Sequence, residues 1–134
     1  MPCCLDTNVC IALINGRPEH VRQRLAQEIA VGGAIFVSFI VAFELWCGWT
    51  ERTEEANRRR VQAFFAGLLS IVEFGDADAQ VAGHLRASLE RAGTPIGAYD
   101  VLIAAQALRL RARLITANVR EFARVEGLAW EDWA

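Results

Sequence analysis

The sequence predicts an α/β fold in which a central parallel sheet of four to five strands carries helices on both faces. Short, continuously apolar segments alternate along the chain with longer segments of helical periodicity. Continuously apolar segments of this length are typical of parallel strands that are buried on both faces. The apolar fraction of 54% also favours a sheet that is covered on both sides.

The first half of the chain contains two predicted strands, each followed by a helix. The strand "PCCL" precedes the helix "TNVCIALING", which we expect to stop near Asn15-Gly16. An amphipathic helix, "PEHVRQRLAQEIA", begins at Pro18. The strand "AIFVS" leads into the helix "FIVAFELWCGW", for which Ser38 is the expected N-cap.

The second half of the chain is predicted to alternate in the same way. Its segments are, in order, the helix "EEANRRRVQAFFAGL", the strand "SIVEF", the helices "DADAQVAGHLRASLERAG" and "AYDVLIAAQALRL", the strand "RLIT", the short helix "NVREFA" and an edge strand in "LAWEDW". Asp76 is the expected N-cap of the long helix, and Gly93 is its expected stop.

The length and the hydropathy pattern predict one domain, residues 1–134, without a membrane partner. The longest uncharged run, 29–43, contains Gly-Gly and is shorter than the about 20 apolar residues that a membrane span needs. The chain does not open with a basic region followed by an apolar run, which is the pattern of a secretion signal. We therefore expect a cytoplasmic protein.

The cysteine pattern and the charge exclude two classes of protein. The four cysteines contain no C-x-x-C pair, so we expect small buried apolar side chains and not a zinc site. The net charge of −2 argues against a strongly basic nucleic-acid module. All fourteen basic residues are Arg, a composition that suits phosphate contacts or reflects the base composition of the genome.

Three carboxylates stand alone in apolar surroundings. Asp6 is the only charge before Arg17, and Glu44 and Asp100 lie in similar uncharged windows. An unpaired buried carboxylate costs several kcal/mol, so each of these acids needs a partner. The partners can be one another together with a cation.

The predicted topology brings these acids to one edge of the sheet. Asp6 follows the first strand, Glu44 lies in the helix after the second strand, and Asn118 follows the fourth strand. Asp100 opens the helix that leads into the fourth strand. Ligands of open α/β sheets bind beyond the carboxyl ends of the strands. Oxygen ligands select Mg²⁺ or Mn²⁺, and a phosphodiester is the natural substrate of such a cluster.

Structural interpretations remain open for the same residues. One alternative is that Asp6 is a helix N-cap without any further role. Similarly, Asp100 is an acid whose position in the first turn is favoured by the helix dipole. The spacing of Asn118 and Glu121, N-x-x-E, is also that of a capping box. Glu44 lies six residues after Ser38, which is too far for a capping-box partner.

Several other residues have simpler interpretations. We expect His20 and His84 to lie on the surface of amphipathic helices, and 58–60, "RRR", to be a solvated helix face or a contact to RNA. Trp46 and Trp49 either pack in the core or form an apolar surface for a protein partner.

Four motifs, in order, resemble those of the PIN-domain ribonucleases and, among them, the VapC-type toxins of bacterial toxin–antitoxin pairs. The motifs are "CLDTNVCIALI", "VSFIVAFELWCG", "GTPIGAYDVLIAAQAL" and "LITANVREFARVEGLAWEDW". Together they span nearly the whole chain. The resemblance implies a PIN fold, Mg²⁺- or Mn²⁺-dependent cleavage of RNA such as transfer RNA, and a homodimer. It also implies inhibition by a VapB-type antitoxin whose C-terminal tail wraps the toxin.

Carried over position by position, the resemblance assigns the metal site to Asp6, Glu44 and Asp100. The fourth acidic position of many members falls at Asn118, whose amide brings no charge. Glu121 would lie on the same helix face and is expected to supply that charge.

Three polar residues beside the acids complete the predicted site. The resemblance makes Thr7 a polar support of the acids, and we expect Asn8 and Thr116 to act in the same way.

Other functions compatible with the acids are a catalytically weak PIN-like protein-binding module, a non-toxin RNA-processing nuclease, and a doubly wound phosphatase or phosphoacceptor domain. The closing segment does not support the last of these.

Overall fold

The structure is a computed structural model that describes residues 1–51, 55–67 and 70–134. For residues 49–51 it describes the backbone only. Its elements are, in chain order, β1 Cys3–Leu5, α1 Thr7–Asn15, α2 Glu19–Ala30, β2 Ile35–Ser38, α3 Phe39–Glu51, α4 Glu55–Phe65, β3 Ser70–Val72, α5 Asp76–Arg91, α6 Ala98–Arg109, β4 Arg113–Ile115, α7 Val119–Phe122 and β5 Trp130–Glu131. The α/β alternation and the parallel sheet predicted from the sequence are confirmed.

The sheet is five-stranded and parallel, with the strand order β3-β2-β1-β4-β5. β1 is central, and Cys4 is in register with Phe36 on one side and with Leu114 on the other. All three residues of β1 are buried. The continuous apolar character of "PCCL" therefore reflects a strand that is covered on both faces.

The predicted helix starts and stops agree with the structure at most positions. Gly16 ends α1 in the left-handed region, with φ of 71°, where a residue without a Cβ is favoured. Ser38 caps α3, since its Oγ accepts a hydrogen bond of 3.1 Å from the N–H of Ile40. Gly93, with φ of 72°, follows the end of α5 as predicted.

The predicted N-cap of α5 was wrong. Asp76 is the first residue of the helix, and Gly75 is its N-cap. The N–H of Gly75 donates to Oδ2 of Asp78 over 2.9 Å. Asp78 is buried and forms an ion pair with Arg109 at the end of α6. This ion pair joins α5 and α6. A hydrogen bond of 2.9 Å from Gln106 to the carbonyl of Glu73 ties α6 to the segment between β3 and α5.

The closing segment "EDW" joins α2 to the sheet. Glu131 pairs with Arg24 at 2.6 Å and with Arg113 at 3.1 Å, and it accepts a 2.7 Å hydrogen bond from the indole N–H of Trp133. The guanidinium of Arg24 lies 5.4 Å from the centre of the Trp133 ring, a cation–π distance. Glu28 of α2 pairs with Arg113 at 2.9 Å. These contacts give the closing segment a structural role.

The cysteine prediction was wrong at one position. Cys3, Cys4 and Cys10 are buried, but Cys47 is exposed on α3. All four thiols are free.

Trp46 packs against the core, with its ring 5.5 Å from that of Phe65, whereas the side chain of Trp49 lies outside the described residues. His20 and His84 are exposed, as predicted. In the parts of the chain that the structure describes, no helix combines the length and the apolar character that crossing a membrane requires.

The Asp78–Arg109 pair predicts a measurable loss of stability. Asp78→Ala should lower the free energy of unfolding by about 2–3 kcal/mol, because it removes a buried charged hydrogen-bond partner of Arg109 and of the Gly75 N–H. Asp76→Ala is the matched control, since Asp76 is exposed, and it should cost less than about 1 kcal/mol. Urea unfolding measures both values, and equal losses would contradict the assignment.

Candidate active site

The acids meet beyond the carboxyl ends of β1 and β4. From β1 the sheet continues toward β2 and β3 on one side and toward β4 and β5 on the other. The connections after β1 and after β4 therefore leave in different directions and open a crevice between them. Asp6 follows β1 directly, and its N–H is held by the carbonyl of Ile115, at the end of β4, over 2.9 Å.

Asp6 is almost fully buried, with 4% of its surface exposed. Its Oδ1 accepts a 2.8 Å hydrogen bond from the N–H of Thr7, and its Oδ2 accepts one of 2.8 Å from Oγ1 of Thr116. Burial raises the pKa of Asp6 above its ordinary value, the two hydrogen bonds oppose that rise, and the charge of Glu121 adds to it. Asp6 is thus a desolvated carboxylate that is held in place by two donors.

Thr7 connects Asp6 with Glu44. Its backbone N–H donates to Asp6, while its Oγ1 donates to Oε1 of Glu44 over 2.7 Å. Glu44 lies in the second turn of α3 and is half-buried. One threonine therefore orients two of the predicted acids.

Asp100 and Glu121 form a hydrogen-bonded pair of carboxyl groups. The pKa of Asp100 is raised to about 8 by burial, by the hydrogen bond with Glu121 and by the charges of Asp6, Glu121 and Glu44. The pKa of Glu121 is lowered, chiefly by the hydrogen bond with Asp100 and also by the one from Asn118. The opposite directions of the two pKa shifts mean that the pair shares one proton at neutral pH, which relieves the repulsion among the acids.

The capping-box interpretation of N-x-x-E was wrong. Asn118 is the N-cap of α7, but its side chain makes no capping hydrogen bond. Its Nδ2 instead donates to Oε2 of Glu121 over 3.0 Å. Its backbone N–H donates to Oγ1 of Thr116 over 2.9 Å, and that hydroxyl donates to Asp6. Asn118 and Glu121 therefore belong to the hydrogen-bond network of the acids.

Gly97 is a site residue that sequence reasoning missed. Its N–H donates to Glu121, and a Cβ at this position would lie 3.1 Å from Oδ2 of Asp100. A side chain here would press on the carboxyl pair. The residue lies in the quoted motif "GTPIGAYD", where a Gly three residues before the acid was the available signal.

Asn8 is the one predicted residue that the structure leaves outside this group. It is exposed on α1, and among the described residues it makes no hydrogen bond to the acids. The side chain of Asn8 follows Thr7 along the helix and points to a different face.

The donor chemistry of the site suits a hard divalent cation. The acids and their neighbours offer only oxygen ligands, and burial raises the pKa values of the nearby thiols of Cys4 and Cys10, so those thiols stay protonated. Within the described ranges, no three Asp, Glu, His or Cys side chains are already arranged around one ion position. The acids are instead paired with one another and with Thr7, Thr116 and Asn118.

The sequence model of the PIN domain family matches residues 3–128 of this chain. This chain belongs to the PIN-domain family. Within that family it belongs to the VapC ribonucleases. It is 39% identical to the tRNA(fMet)-specific endonuclease VapC of Salmonella typhimurium strain LT2, over 96% of each chain. It is 34% identical to Ribonuclease VapC2 of Rickettsia felis, again over 96% of each chain.

Solved VapC structures have the same fold. The chain superposes on a chain of VapBC2 from Rickettsia felis bound to a promoter DNA fragment, with a TM-score of 0.92, 33% identity and complete coverage of both chains. It also matches a chain of DNA-bound VapBC from Salmonella typhimurium, with a TM-score of 0.85, 33% identity and coverage of 100% and 99%. The PIN-like fold expected from the motifs is therefore confirmed.

The proton held by Asp100 predicts how the stability of the VapC chain varies with pH. The pKa of about 8 in the folded state lies above that of an unfolded aspartate, about 3.9. The contribution of Asp100 is therefore fully present below about pH 4 and is lost as the pH rises through about 8. In EDTA, the melting temperature should fall between pH 5 and pH 8.

Asp100→Asn should make that fall shallower, because an amide does not titrate. Asp76→Asn, which changes an exposed acid, serves as the control and should leave the slope unchanged. Equal slopes for wild type and Asp100→Asn in differential scanning calorimetry would show that Asp100 is ionised throughout.

Proposed function

We propose that this VapC chain hydrolyses phosphodiester bonds of RNA as an Mg²⁺- or Mn²⁺-dependent endoribonuclease. The observation that carries the proposal is the group of four carboxyl groups, on Asp6, Glu44, Asp100 and Glu121, at one edge of the sheet. In the described part of the chain, no Arg donates a hydrogen bond to any of them. Such a group is expensive unless a cation accompanies it.

Asp6, Glu44 and Asp100 would hold the cation, and Glu121 and the amide oxygen of Asn118 are the further ligand candidates. When bound, the divalent cation would offset the charge of the acids and of the phosphate and lower the pKa of an attacking water. All the donors are hard oxygens, which is the ligand class that Mg²⁺ and Mn²⁺ prefer.

Hydrogen bonds from Thr7 and Thr116 would hold the carboxylates of Asp6 and Glu44 in place between turnovers. Thr116 and the Thr7 N–H fix both oxygens of Asp6, and the Thr7 hydroxyl fixes Glu44. The proton on Asp100 allows the acids to lie together in the absence of cation. Loss of this proton would make Asp100 a full anionic ligand for the ion.

The relatives favour this proposal over the alternative functions. The similar curated proteins carry the names of ribonucleases and of endonucleases specific for tRNA(fMet). We therefore propose transfer RNA as the substrate class. Asp6 also serves as the N-cap of α1, but a protein-binding module without activity would have no need to group Glu44, Asp100 and Glu121 around it.

We further propose control by a VapB-type antitoxin, because the similar solved chains come from VapBC complexes. A groove with a volume of about 100 Å³ runs between α1, α3 and α4. Ile11, Ile14, Leu45 and Val61 line it, and Glu44 lies at its side. An apolar helix of the antitoxin would occupy this groove, and a basic side chain of its tail would reach the acids.

Arg60 borders the same groove and caps α1. It donates to the carbonyl of Ile14 over 2.7 Å and to Oδ1 of Asn15 over 3.1 Å. Residues 58–60 are all exposed, as the sequence predicted, but Arg60 has these structural contacts. The homodimer that the motifs imply stays a prediction.

The acids provide the first test of the proposed activity. Asp6→Asn and Asp100→Asn should each lower the rate of RNA cleavage at least about a hundredfold, because each removes an anionic ligand. Glu121→Gln should also lower the rate and weaken Mn²⁺ binding measured by calorimetry, with little change in melting temperature. Gel assays with transfer RNA measure the rates.

Glu126→Gln is the control for this series, because Glu126 is exposed and lies near the same helix. It should cleave at the wild-type rate. Cleavage by the wild type that persists in excess EDTA would refute the metal dependence, and full activity of Glu121→Gln would remove Glu121 from the site.

The groove provides a test of the partner. Ile11→Ser should weaken binding of the cognate antitoxin, because Ile11 is 42% exposed and lines the groove. Ile71→Ser is the matched control, since Ile71 is 39% exposed but lies on the edge strand β3. Calorimetric titration should give a weaker affinity for Ile11→Ser alone, and an equal loss for both variants would place the antitoxin elsewhere.

A further inference from the structure

Three large aromatic side chains are exposed to solvent on α3 and α6, the helices that carry Glu44 and Asp100. Phe39, Phe43 and Tyr99 are 45%, 50% and 49% exposed. Phe39 and Phe43 lie one turn apart on the same face of α3, and Tyr99 is in the first turn of α6. Isolated exposed apolar residues are common on proteins, but grouped aromatic rings indicate a binding surface.

The rings of Phe43 and Tyr99 are in contact. Their centres are 5.6 Å apart and their planes meet at 63°, the edge-to-face arrangement of an aromatic pair. The pair bridges α3 and α6 from outside. Each ring is next in sequence to an acid of the site, Phe43 to Glu44 and Tyr99 to Asp100.

The core does not require these rings. α3 buries Val41, Ala42 and Leu45 against the sheet, and α6 buries Val101 and Ile103. Packing of the two helices is therefore supplied by other side chains. About half of the surface of Phe43 and of Tyr99 remains open. The ring pair joins α3 and α6 one residue along each helix from Glu44 and Asp100, whose charges interact across the same two helices.

We propose that Phe43 and Tyr99 form a stacking site for an unpaired base of the RNA substrate, next to the phosphodiester that the acids attack; this rests on the ribonuclease function proposed above. Aromatic faces bind nucleobases by stacking, without regard to sequence and without added charge. That property matters here, because a chain of net charge −2 with grouped carboxylates repels the RNA backbone.

The stacking site also specifies the class of substrate. Bases in an A-form duplex are stacked on each other and do not present their faces, whereas bases in loops, bulges and single strands do. The RNA segment at the acids is therefore single-stranded, and an intact duplex is excluded from the site.

The exposed aromatic area is too small to be a dimer interface by itself. A half-exposed ring offers roughly 100 Å², so the three rings together offer roughly 300 Å². A stable dimer buries about 800 Å² on each partner. The area suits one or two bases.

The test measures RNA binding in the absence of cleavage. A short single-stranded RNA with 2-aminopurine near its centre is titrated with the full chain in EDTA at low ionic strength, and quenching reports stacking. Phe43→Leu and Tyr99→Leu should each raise the Kd about five- to a hundredfold and reduce the quenching. Tyr99→Phe keeps the ring and should bind as the wild type does.

Trp130→Leu is the matched control, because Trp130 is 38% exposed on β5, and it should bind RNA as the wild type does. With Mg²⁺ or Mn²⁺ present, the two Leu variants should raise KM for single-stranded RNA and leave kcat nearly unchanged, since stacking is uniform binding. Circular dichroism and melting temperatures establish that each variant is folded.

Three results would overturn the stacking site, and they are distinguishable. Wild-type Kd and quenching in folded Phe43→Leu and Tyr99→Leu would refute it while leaving the nuclease function intact. A change of molar mass in light scattering for these variants, with RNA binding unchanged, would assign the rings to a second copy of the chain. A wild type that neither binds nor cleaves RNA would refute the proposed function together with the inference.

Discussion

The arrangement of this site follows from one electrostatic constraint, the placement of a carboxylate at the buried end of the central strand. Asp6 is held out of water, so its charge must be met by protein donors. The Thr7 N–H and the Thr116 hydroxyl supply them, one to each oxygen. The neighbouring acids add repulsion, and a proton shared between Asp100 and Glu121 relieves it. The network is satisfied within itself and is still rich in oxygen ligands.

The sheet holds this network in register. β1 and β4 are neighbours, and the hydrogen bond from Asp6 to the carbonyl of Ile115 ties the two strand ends together. β4 is in turn held by Arg113, which pairs with Glu28 of α2 and with Glu131 of β5. The closing segment therefore acts on the site at a distance, by fixing the strand from which Thr116 and Asn118 extend.

The surfaces around the acids have different chemistry. The groove between α1, α3 and α4 is apolar and reaches Glu44, which suits a helical protein segment. The aromatic pair of Phe43 and Tyr99 bridges α3 and α6, and flat rings suit a base. An antitoxin and an RNA would therefore approach Glu44 and Asp100 from separate surfaces but meet at the same carboxylates. Competition between them would arise at the acids themselves.

Periodicity, turn residues and lone charges are local signals, and they were sufficient to predict the α/β alternation, the turn at Gly16, the cap at Ser38 and the edge of the sheet at which Asp6, Glu44 and Asp100 meet. The pairing of the acids depends on contacts between distant segments and is visible only in the folded chain. The contacts of Glu121 with Asp100 and Gly97 join segments about twenty residues apart or more, and the Asp78–Arg109 pair spans 31 positions. The spacing N-x-x-E was equally consistent with a capping box. Glu121 belongs to the acid network instead, because the folded chain brings the carboxyl group of Asp100 next to it.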